Sequence, residues 1–312
     1  MSAKTRSRSS SGKAIVAVVS ALLVLSPLAM AGAAPSGNAP RFAVVIGISE
    51  YQGRTVSTPG SAGDAVIVRE ALLRGGWADQ NIRMLVNEAA TADAIRGALR
   101  WLVDNSSDDG FSVFAYSGHV KQMTGDRDGD GEGNDEFLWP HDNSFIADGE
   151  LARSLRELRG DAWINISGCE AAGFDDGVSS PRRLFTGASQ EVEKGYERGD
   201  WRQSVFNGLM VDQGMLQGRA DADGNGTVSI QEAFDHAARI APDMTAGQRF
   251  GPQHPYIAGG DGTEWFLKPP APAAPAQGPG GLGVLDNLLG GLTGDGAGGL
   301  TDDMTGLTGI LD

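Results

Sequence analysis

The feature of this chain that most limits its fold is a series of short apolar runs that alternate with segments of helical periodicity. The run at 41–48 is unbroken rather than alternating, which is the pattern of a strand covered on both faces. The strand-like runs lie at 41–48, 82–86, 111–116, 162–166 and 184–189. The helical segments lie at 65–73, 91–103, 148–158 and 204–215. Strands that alternate with helices predict an α/β domain with a mainly parallel sheet.

The first 34 residues have the layout of a secretory signal peptide. Four basic residues precede the apolar run Ala14–Leu25, and small-residue cleavage sites follow at Ala29–Ala31 and Ala31–Ala33. This run is short for a transmembrane span. We therefore expect a secreted or cell-surface protein without a membrane span after cleavage, with an uncleaved N-terminal anchor as the alternative.

Composition changes again after Lys268. Residues 269–312 form a Pro/Ala/Gly-rich linker and a low-complexity tail rich in Gly and Leu. Such segments bury too little apolar surface to offset the entropy of ordering. We expect a flexible tail, with surface attachment or self-association as the alternative, and we expect the folded domain within residues 41–268.

The chain beyond the predicted signal peptide is strongly acidic. Residues 1–34 hold four basic and no acidic residues, so the remainder has 21 basic and 40 acidic residues and a net charge of −19. This balance argues against nucleic acid or anionic lipid as a partner and fits cationic ligands or metal ions.

The chain has one cysteine, Cys169, shortly after the apolar run 162–166. The small residues at 171–173 leave room for a ligand to approach the backbone. A lone cysteine is often a small core residue, and that is the structural alternative. A single unpaired thiol in an exported protein is also a candidate reactive group.

His119 is the strongest candidate partner for Cys169 among the four histidines. It follows the strand-like run 111–116 through Ser-Gly. In open α/β sheets, active sites lie beyond the carboxyl ends of the strands. We therefore expect the side chains of His119 and Cys169 on that edge of the sheet. Histidine is the usual base for a thiol nucleophile. His141, beside Asp142, stays open as a weaker alternative.

Five features in order resemble the caspase-like cysteine peptidases, in particular the metacaspases and their bacterial relatives. These features are FAVVIGISEY at 42–51, Gly63-Asp64-Ala65, FAYSGH at 114–119, Asp135-Glu136 with Pro140 and Asp142, and the cysteine run. The 50 residues from His119 to Cys169 match the caspase separation. The resemblance implies a caspase-like three-layer sandwich, with a mainly parallel sheet of about six strands flanked by helices.

The same resemblance implies a peptide or protein substrate and a covalent mechanism. Cys169 would attack the peptide carbonyl, and His119 would protonate the leaving amine and then activate water. The backbone N–H groups of Gly118 and Cys169 would bind the oxyanion.

Three positions depart from the metacaspase pattern. Val120 rather than glycine follows His119, and Ser167 stands at a substrate-binding position where aspartate is common. Glu170 after the cysteine is similar to legumain-type peptidases, which cut after Asn. Asp64 matches the acid that helps bind a basic side chain before the cleaved bond, the P1 side chain. We expect Arg or Lys at P1; an ordinary helix N-terminal charge is the alternative for Asp64.

Residues 221–232, DADGNGTVSIQE, fit an EF-hand-type calcium loop position by position. Gly226 supplies the sharp turn, and the predicted ligands are Asp221, Asp223, Asn225, Thr227 through its carbonyl, and Glu232. The sequence thus predicts Ca²⁺ as a cofactor, with a solvated acidic turn as the alternative.

A second acidic loop holds Asp126, Asp128 and Asp130 and begins in the same way. Its position 12 is Phe137, so the EF-hand template fails there. Calcium-activated metacaspases have an acidic site in a comparable place, and the resemblance therefore implies a second calcium site.

Together these features predict an exported, calcium-binding or calcium-activated caspase-like cysteine endopeptidase. The alternative is an inactive caspase-fold module that binds calcium for surface interactions. Arg182-Arg183 lies in a Pro-containing segment expected to be exposed, and we predict self-cleavage there or nearby if basic P1 residues are accepted.

Overall fold

The computed structural model describes residues 39–127, 129, 131 and 133–268. The predicted signal peptide, the linker and tail at 269–312, and Asp128 and Asp130 lie outside the described residues.

Eleven strands are found in the described part of the chain: β1 (Arg41–Gly47), β2 (Ile82–Val86), β3 (Phe111–Ser117), β4 (Val120–Thr124), β5 (Asn134–Leu138), β6 (Ile146–Ala147), β7 (Asp161–Ser167), β8 (Arg183–Gly187), β9 (Glu197–Arg198), β10 (Gln203–Ser204) and β11 (Tyr256–Gly259). The α-helices are α1 (Ser61–Arg74), α2 (Ala92–Asn105), α3 (Asp148–Arg156), α4 (Val205–Asn207) and α5 (Ile230–Thr245). Helix α4 continues directly into a π-helix, Gly208–Leu216. No helix in this part of the chain combines the length and apolarity needed to cross a membrane.

Six strands form the central sheet, in the order β11-β8-β7-β3-β1-β2. All neighbours are parallel except β11, which runs antiparallel to β8. Because α1 connects β1 to β2 and α2 returns from β2 to β3 across β1, right-handed crossovers put these helices on opposite faces. The predicted mainly parallel α/β sheet with flanking helices is confirmed.

Local chemistry explains where two of the helices begin. The Thr91 hydroxyl accepts a hydrogen bond from the Ala94 N–H at 3.2 Å, so Thr91 is the N-cap of α2. Ser229 and Glu232 form a capping box at the start of α5. A cap of this kind stabilises a helix by roughly 1 kcal/mol.

Strand β7, which leads to Cys169, is anchored by a completely buried tryptophan. Trp163 is 0% exposed, and its indole N–H donates to the Thr186 hydroxyl of β8 at 2.9 Å. The large ring contributes packing area, while the hydrogen bond removes the cost of burying the N–H group. The end of β7 is therefore held firmly against its neighbour.

The pairing of β3 with β7 explains the spacing between the predicted catalytic residues. Phe111 pairs with Asp161, and the register continues to Ser117 and Ser167, always between residues 50 apart. His119 and Cys169 each follow the last pair by two residues. Their separation along the chain thus equals the register of two adjacent strands.

The expectation that Arg182-Arg183 is exposed is wrong for Arg183. Arg183 begins β8 and is only 9% exposed. Its guanidinium donates to the carbonyls of Leu155 at 3.2 Å, Gly160 at 3.1 Å and Leu158. Cleavage requires an accessible, extended segment, whereas these hydrogen bonds to backbone carbonyls hold the arginine inside. The burial of Arg183 argues against self-cleavage at this bond, while self-cleavage nearby stays a prediction.

Candidate active site

His119 and Cys169 line one cavity of about 290 Å³ at the carboxyl end of the parallel strands. The remaining wall comes from the loop before α1, the ends of β3 and β7, and the segment before β10. These residues are Ser57, Thr58, Pro59, Gly118, Ser167, Gly168, Ala188, Gly195, Tyr196, Glu197 and Ser204. The structure therefore brings the thiol and the imidazole to the same rim.

The backbone of His119 is held on both sides by tyrosine hydroxyls. Its N–H donates to the Tyr51 hydroxyl at 2.7 Å, and its carbonyl accepts from the Tyr116 hydroxyl at 2.7 Å. The Trp139 N–H donates to the same carbonyl at 3.1 Å. The Tyr51 ring also packs on the imidazole, with ring centroids 4.9 Å apart. These contacts limit where the imidazole can move.

The imidazole itself is oriented by a backbone carbonyl. His119 Nε2 lies 2.7 Å from the carbonyl oxygen of Val56. A carbonyl can only accept, so Nε2 carries the proton and Nδ1 of the neutral ring is left as the proton acceptor. The loop before α1 thus selects the tautomer of His119.

Gly118 has no room for a side chain. A Cβ at this position would lie 2.8 Å from the Tyr116 hydroxyl and 2.9 Å from the Tyr51 hydroxyl. Glycine is therefore required by the two groups that hold His119.

The expected role of Gly118 as an oxyanion donor needs correction. Its N–H donates to the Ser167 carbonyl at 3.2 Å, because the pairing of β3 with β7 extends one residue past the strands. The Cys169 N–H, in contrast, makes no hydrogen bond with the described residues. Of the two expected donors, Cys169 is the one available to a substrate oxygen.

The Cys169 thiol is partly exposed in the cavity and lies 3.8 Å from the Gly195 carbonyl. Burial raises the pKa of the thiol, and the neighbouring Glu170 carboxylate raises this pKa further. The resting thiol is therefore protonated at neutral pH. A nucleophilic role requires that a base removes the proton as substrate binds.

Glu170 links the turn after Cys169 to the segment before β9. It has a left-handed backbone with φ of 48° and is only 3% exposed. Its carboxylate pairs with Lys194, and its N–H donates to the Glu193 carbonyl at 2.8 Å. Sequence patterns did not reveal Lys194, because the contact joins residues in two irregular segments.

Asp64 and Ser167, the expected substrate-binding pair, lie in different layers. Asp64 is fully buried behind the cavity wall, where it accepts from Ser117 Oγ at 2.7 Å, the Ser204 N–H at 2.9 Å and Asn207 Nδ2 at 3.2 Å. Burial raises the pKa of Asp64 to about 6. Ser167 lines the cavity, and its hydroxyl donates to Ser204 Oγ at 2.9 Å.

Glu197, which sequence analysis missed, is an acidic residue that lines the cavity. It accepts from the Gly60 N–H at 2.7 Å and from the Ser61 hydroxyl. Burial raises its pKa. No motif marks this residue, because it belongs to the two-residue strand β9 and its partners lie more than 130 positions earlier.

The predicted calcium loop gathers three carboxylates. Ligand atoms of Asp221, Asp223 and Glu232 all lie within 4.8 Å of one another. Asp221 Oδ1 is buried without a hydrogen-bond partner in the described part of the chain. Gly226 has φ of +82°, as the sharp turn requires. An oxygen-rich set with an unsatisfied carboxylate oxygen fits a calcium ion.

The remaining predicted ligands of this loop make local hydrogen bonds. Asn225 donates from its side chain to Asp223 at 2.6 Å, and the Thr227 N–H donates to Asn225 Oδ1 at 2.8 Å. Burial acts to raise the pKa of Glu232, but N–H groups of Ser229 and Ala222 outweigh it and the pKa is lowered. This carboxylate is therefore ionised at neutral pH.

The second acidic loop is described in part. Asp126 accepts from the N–H groups of Gly129 at 2.6 Å and Gly131 at 3.2 Å. Asp128 and Asp130 lie outside the described residues, so a calcium site formed by these three aspartates stays a prediction.

Comparison with known proteins identifies the family. Residues 40–222, more than half of the chain, match the caspase domain. The chain therefore belongs to the caspase family of peptidases, as the sequence resemblance predicted.

Two relatives illustrate the range of this similarity. Metacaspase-3 of Arabidopsis thaliana is 35% identical over 132 residues, which are 39% of this chain and 36% of that protein. The chain thus spans about a third of the length of this curated relative. A crystal structure of a Geobacter sulfurreducens protein matches with a TM-score of 0.52 and 15% identity, over 70% of this chain and 93% of that one. This second likeness concerns the fold alone.

Proposed function

We propose that this protein is an exported, calcium-binding cysteine endopeptidase that cuts after Arg or Lys. The observation that carries the proposal is that His119 and Cys169 line one cavity at the ends of adjacent strands. Membership of the caspase family supports a catalytic role for this pair, because such peptidases use a thiol and an imidazole.

The proposed reaction uses the two groups in sequence. As Cys169 loses its proton to His119, Sγ attacks the peptide carbonyl and the Cys169 N–H binds the oxyanion. The C–N bond then breaks, His119 gives a proton to the leaving amine, and a thioester remains. His119 next deprotonates a water molecule, which attacks the thioester. The C–S bond breaks, the acid is released, and the proton passes from His119 back to the Cys169 thiol. The Val56 carbonyl stabilises the protonated ring through Nε2–H.

The single cysteine makes this proposal directly testable. The full chain is assayed on fluorogenic peptides with Arg, Lys, Asn or Asp at P1, before and after alkylation with iodoacetamide. We expect cleavage after Arg or Lys, and complete loss once intact mass shows one alkyl group per chain. Activity that survives full alkylation contradicts the thiol mechanism. Failure of the folded protein to cut any peptide, with calcium present, favours the inactive calcium-binding module.

The proposed Ca²⁺ ligands are Asp221, Asp223, Asn225, the Thr227 carbonyl and Glu232. A bound ion would neutralise the clustered carboxylates and join the loop to the start of α5. Since the ion binds the folded state alone, it stabilises the protein by roughly 2.7 kcal/mol at 100 times its Kd.

Glu232→Gln is expected to abolish calcium stabilisation, because it removes the bidentate ligand. The measurement is the melting temperature of the full chain in chelator and in excess Ca²⁺. The wild-type melting temperature should rise by several degrees with calcium, while the variant's should not change. Asp235→Asn, an exposed acid on the same helix, is the matched control and should respond like wild type. An equal calcium response in Glu232→Gln would exclude this loop as the site.

Export is proposed from the basic and apolar segments of residues 1–34. The expected product in the medium of a secreting host begins between residues 32 and 35. Its intact mass checks this, and recovery only of uncleaved, cell-bound chain contradicts it.

A further inference from the structure

One acidic residue lines the cavity that holds His119 and Cys169. Among the described residues that line this cavity, only Glu197 has an acidic side chain. The two positions at which the family resemblance implies substrate recognition offer no charge there. Ser167 is neutral and bonded to Ser204, and Asp64 is completely buried behind that wall.

The Glu197 carboxylate is held in a fixed direction. The N–H of Gly60 donates to Oε2 at 2.7 Å, and the Ser61 hydroxyl donates to Oε1. Both donors belong to the start of α1, so this helix positions the acid. The Ser61 N–H and the Thr58 hydroxyl also interact with this carboxylate, so the start of α1 and the loop before it fix its position.

This carboxylate is also without a counter-charge. Within the described part of the chain Glu197 makes no ion pair, in contrast to Glu170, which has Lys194. A half-buried carboxylate without a cation is costly unless a ligand supplies one. A guanidinium or ammonium group entering the cavity would meet this need.

We propose that Glu197 is the specificity-determining residue that binds the Arg or Lys side chain at P1. It would take the role of the aspartate that is common at the position of Ser167. The inference rests on the proposed peptidase function. It assigns recognition of the cation to the segment before β10 rather than to the end of β7.

The same arrangement joins recognition to catalysis. The pKa of the Cys169 thiol is raised mainly by burial, then by the charge of Glu170, and to a smaller extent by that of Glu197. A substrate cation that neutralises Glu197 removes one of these contributions. Binding of a basic side chain therefore favours thiolate formation, which a neutral side chain does not.

The test compares peptides that differ only in P1 charge. Arginine and citrulline are nearly isosteric, but citrulline is neutral. For wild type we expect kcat/KM to be at least 100-fold higher for the Arg peptide, because a buried charge pair is lost with citrulline. In Glu197→Gln this ratio should fall below about fivefold, mainly through the Arg peptide. Glu191→Gln, an exposed acid on the same segment, is the matched control and should keep the wild-type ratio.

Each outcome decides the inference. An undiminished ratio in Glu197→Gln overturns it, as does a ratio that collapses only in Asp64→Asn. If Glu197→Gln does not fold, Glu197→Asp is used instead, because its shorter side chain places the charge one methylene further back. This variant should lower the Arg-to-citrulline ratio of kcat/KM at least fivefold, and an unchanged ratio overturns the proposal. Wild type that cuts both peptides equally also overturns it. Wild type that cuts no peptide at all refutes the peptidase function itself.

Discussion

Replacing Cys169 with alanine is expected to lower kcat/KM for an Arg peptide by about 10⁴-fold or more, because the nucleophile is gone. His119→Ala should lower kcat/KM by about 10²-fold to 10⁴-fold, since proton transfer and the Val56 contact are both removed. The double variant should be no slower than Cys169→Ala, because groups that act as a unit have non-additive effects. Steady-state kinetics on all three proteins, with circular dichroism to check their folds, measures this.

His141→Ala is the control for the loss of an imidazole. His141 Nδ1 lies 2.7 Å from the carbonyl oxygen of Glu50, and His141 does not line the cavity. We expect its kcat/KM to stay within threefold of wild type. A loss comparable with that of His119→Ala would instead make His141 the partner of Cys169.

Asp64→Asn is expected to change how stability depends on pH. Burial raises the pKa of Asp64 to about 6 from the ordinary 3.8. Between these values the folded state binds more protons than the unfolded state, so the contribution of Asp64 to the free energy of unfolding falls as pH rises. The total change is about 3 kcal/mol. The contribution is complete below about pH 4 and is lost above about pH 6.

Urea unfolding of wild type and Asp64→Asn at several pH values between 4 and 7.5 isolates this effect. The difference in unfolding free energy between the two proteins should move by about 3 kcal/mol in favour of the variant as pH rises. Glu136, whose pKa burial raises to about 8, titrates in both proteins and cancels in the difference. Parallel curves across the whole range would mean that Asp64 ionises normally in the fold.

Parts of this structure follow from local sequence. The unbroken apolar run at 41–48 predicts β1, observed at Arg41–Gly47, because a strand inside the sheet is covered on both faces. Thr91 caps α2 because its hydroxyl satisfies a free N–H group. His119 and Cys169 could be paired because both follow the ends of predicted strands, and strand ends share one edge of a sheet.

Other parts depend on contacts that no local pattern contains. Glu197 is placed by α1, which lies more than 120 residues earlier, and by the short strands β9 and β10. Arg183 is buried because several carbonyls at the end of α3 need donors, although charge alone predicts exposure. Asp64 matches its family position, yet Ser204 comes between its carboxylate and the cavity.

The register of β3 and β7 separates the geometry of the site from the length of the chain that connects its parts. Hydrogen bonds between Phe111–Ser117 and Asp161–Ser167 set how far apart the two strand ends lie. The connection between β4 and β5 takes no part in this pairing. A protein engineer could therefore insert a tag or a small binding domain between Thr124 and Asn134 and alter the His–Cys separation in sequence while the separation in space stays the same.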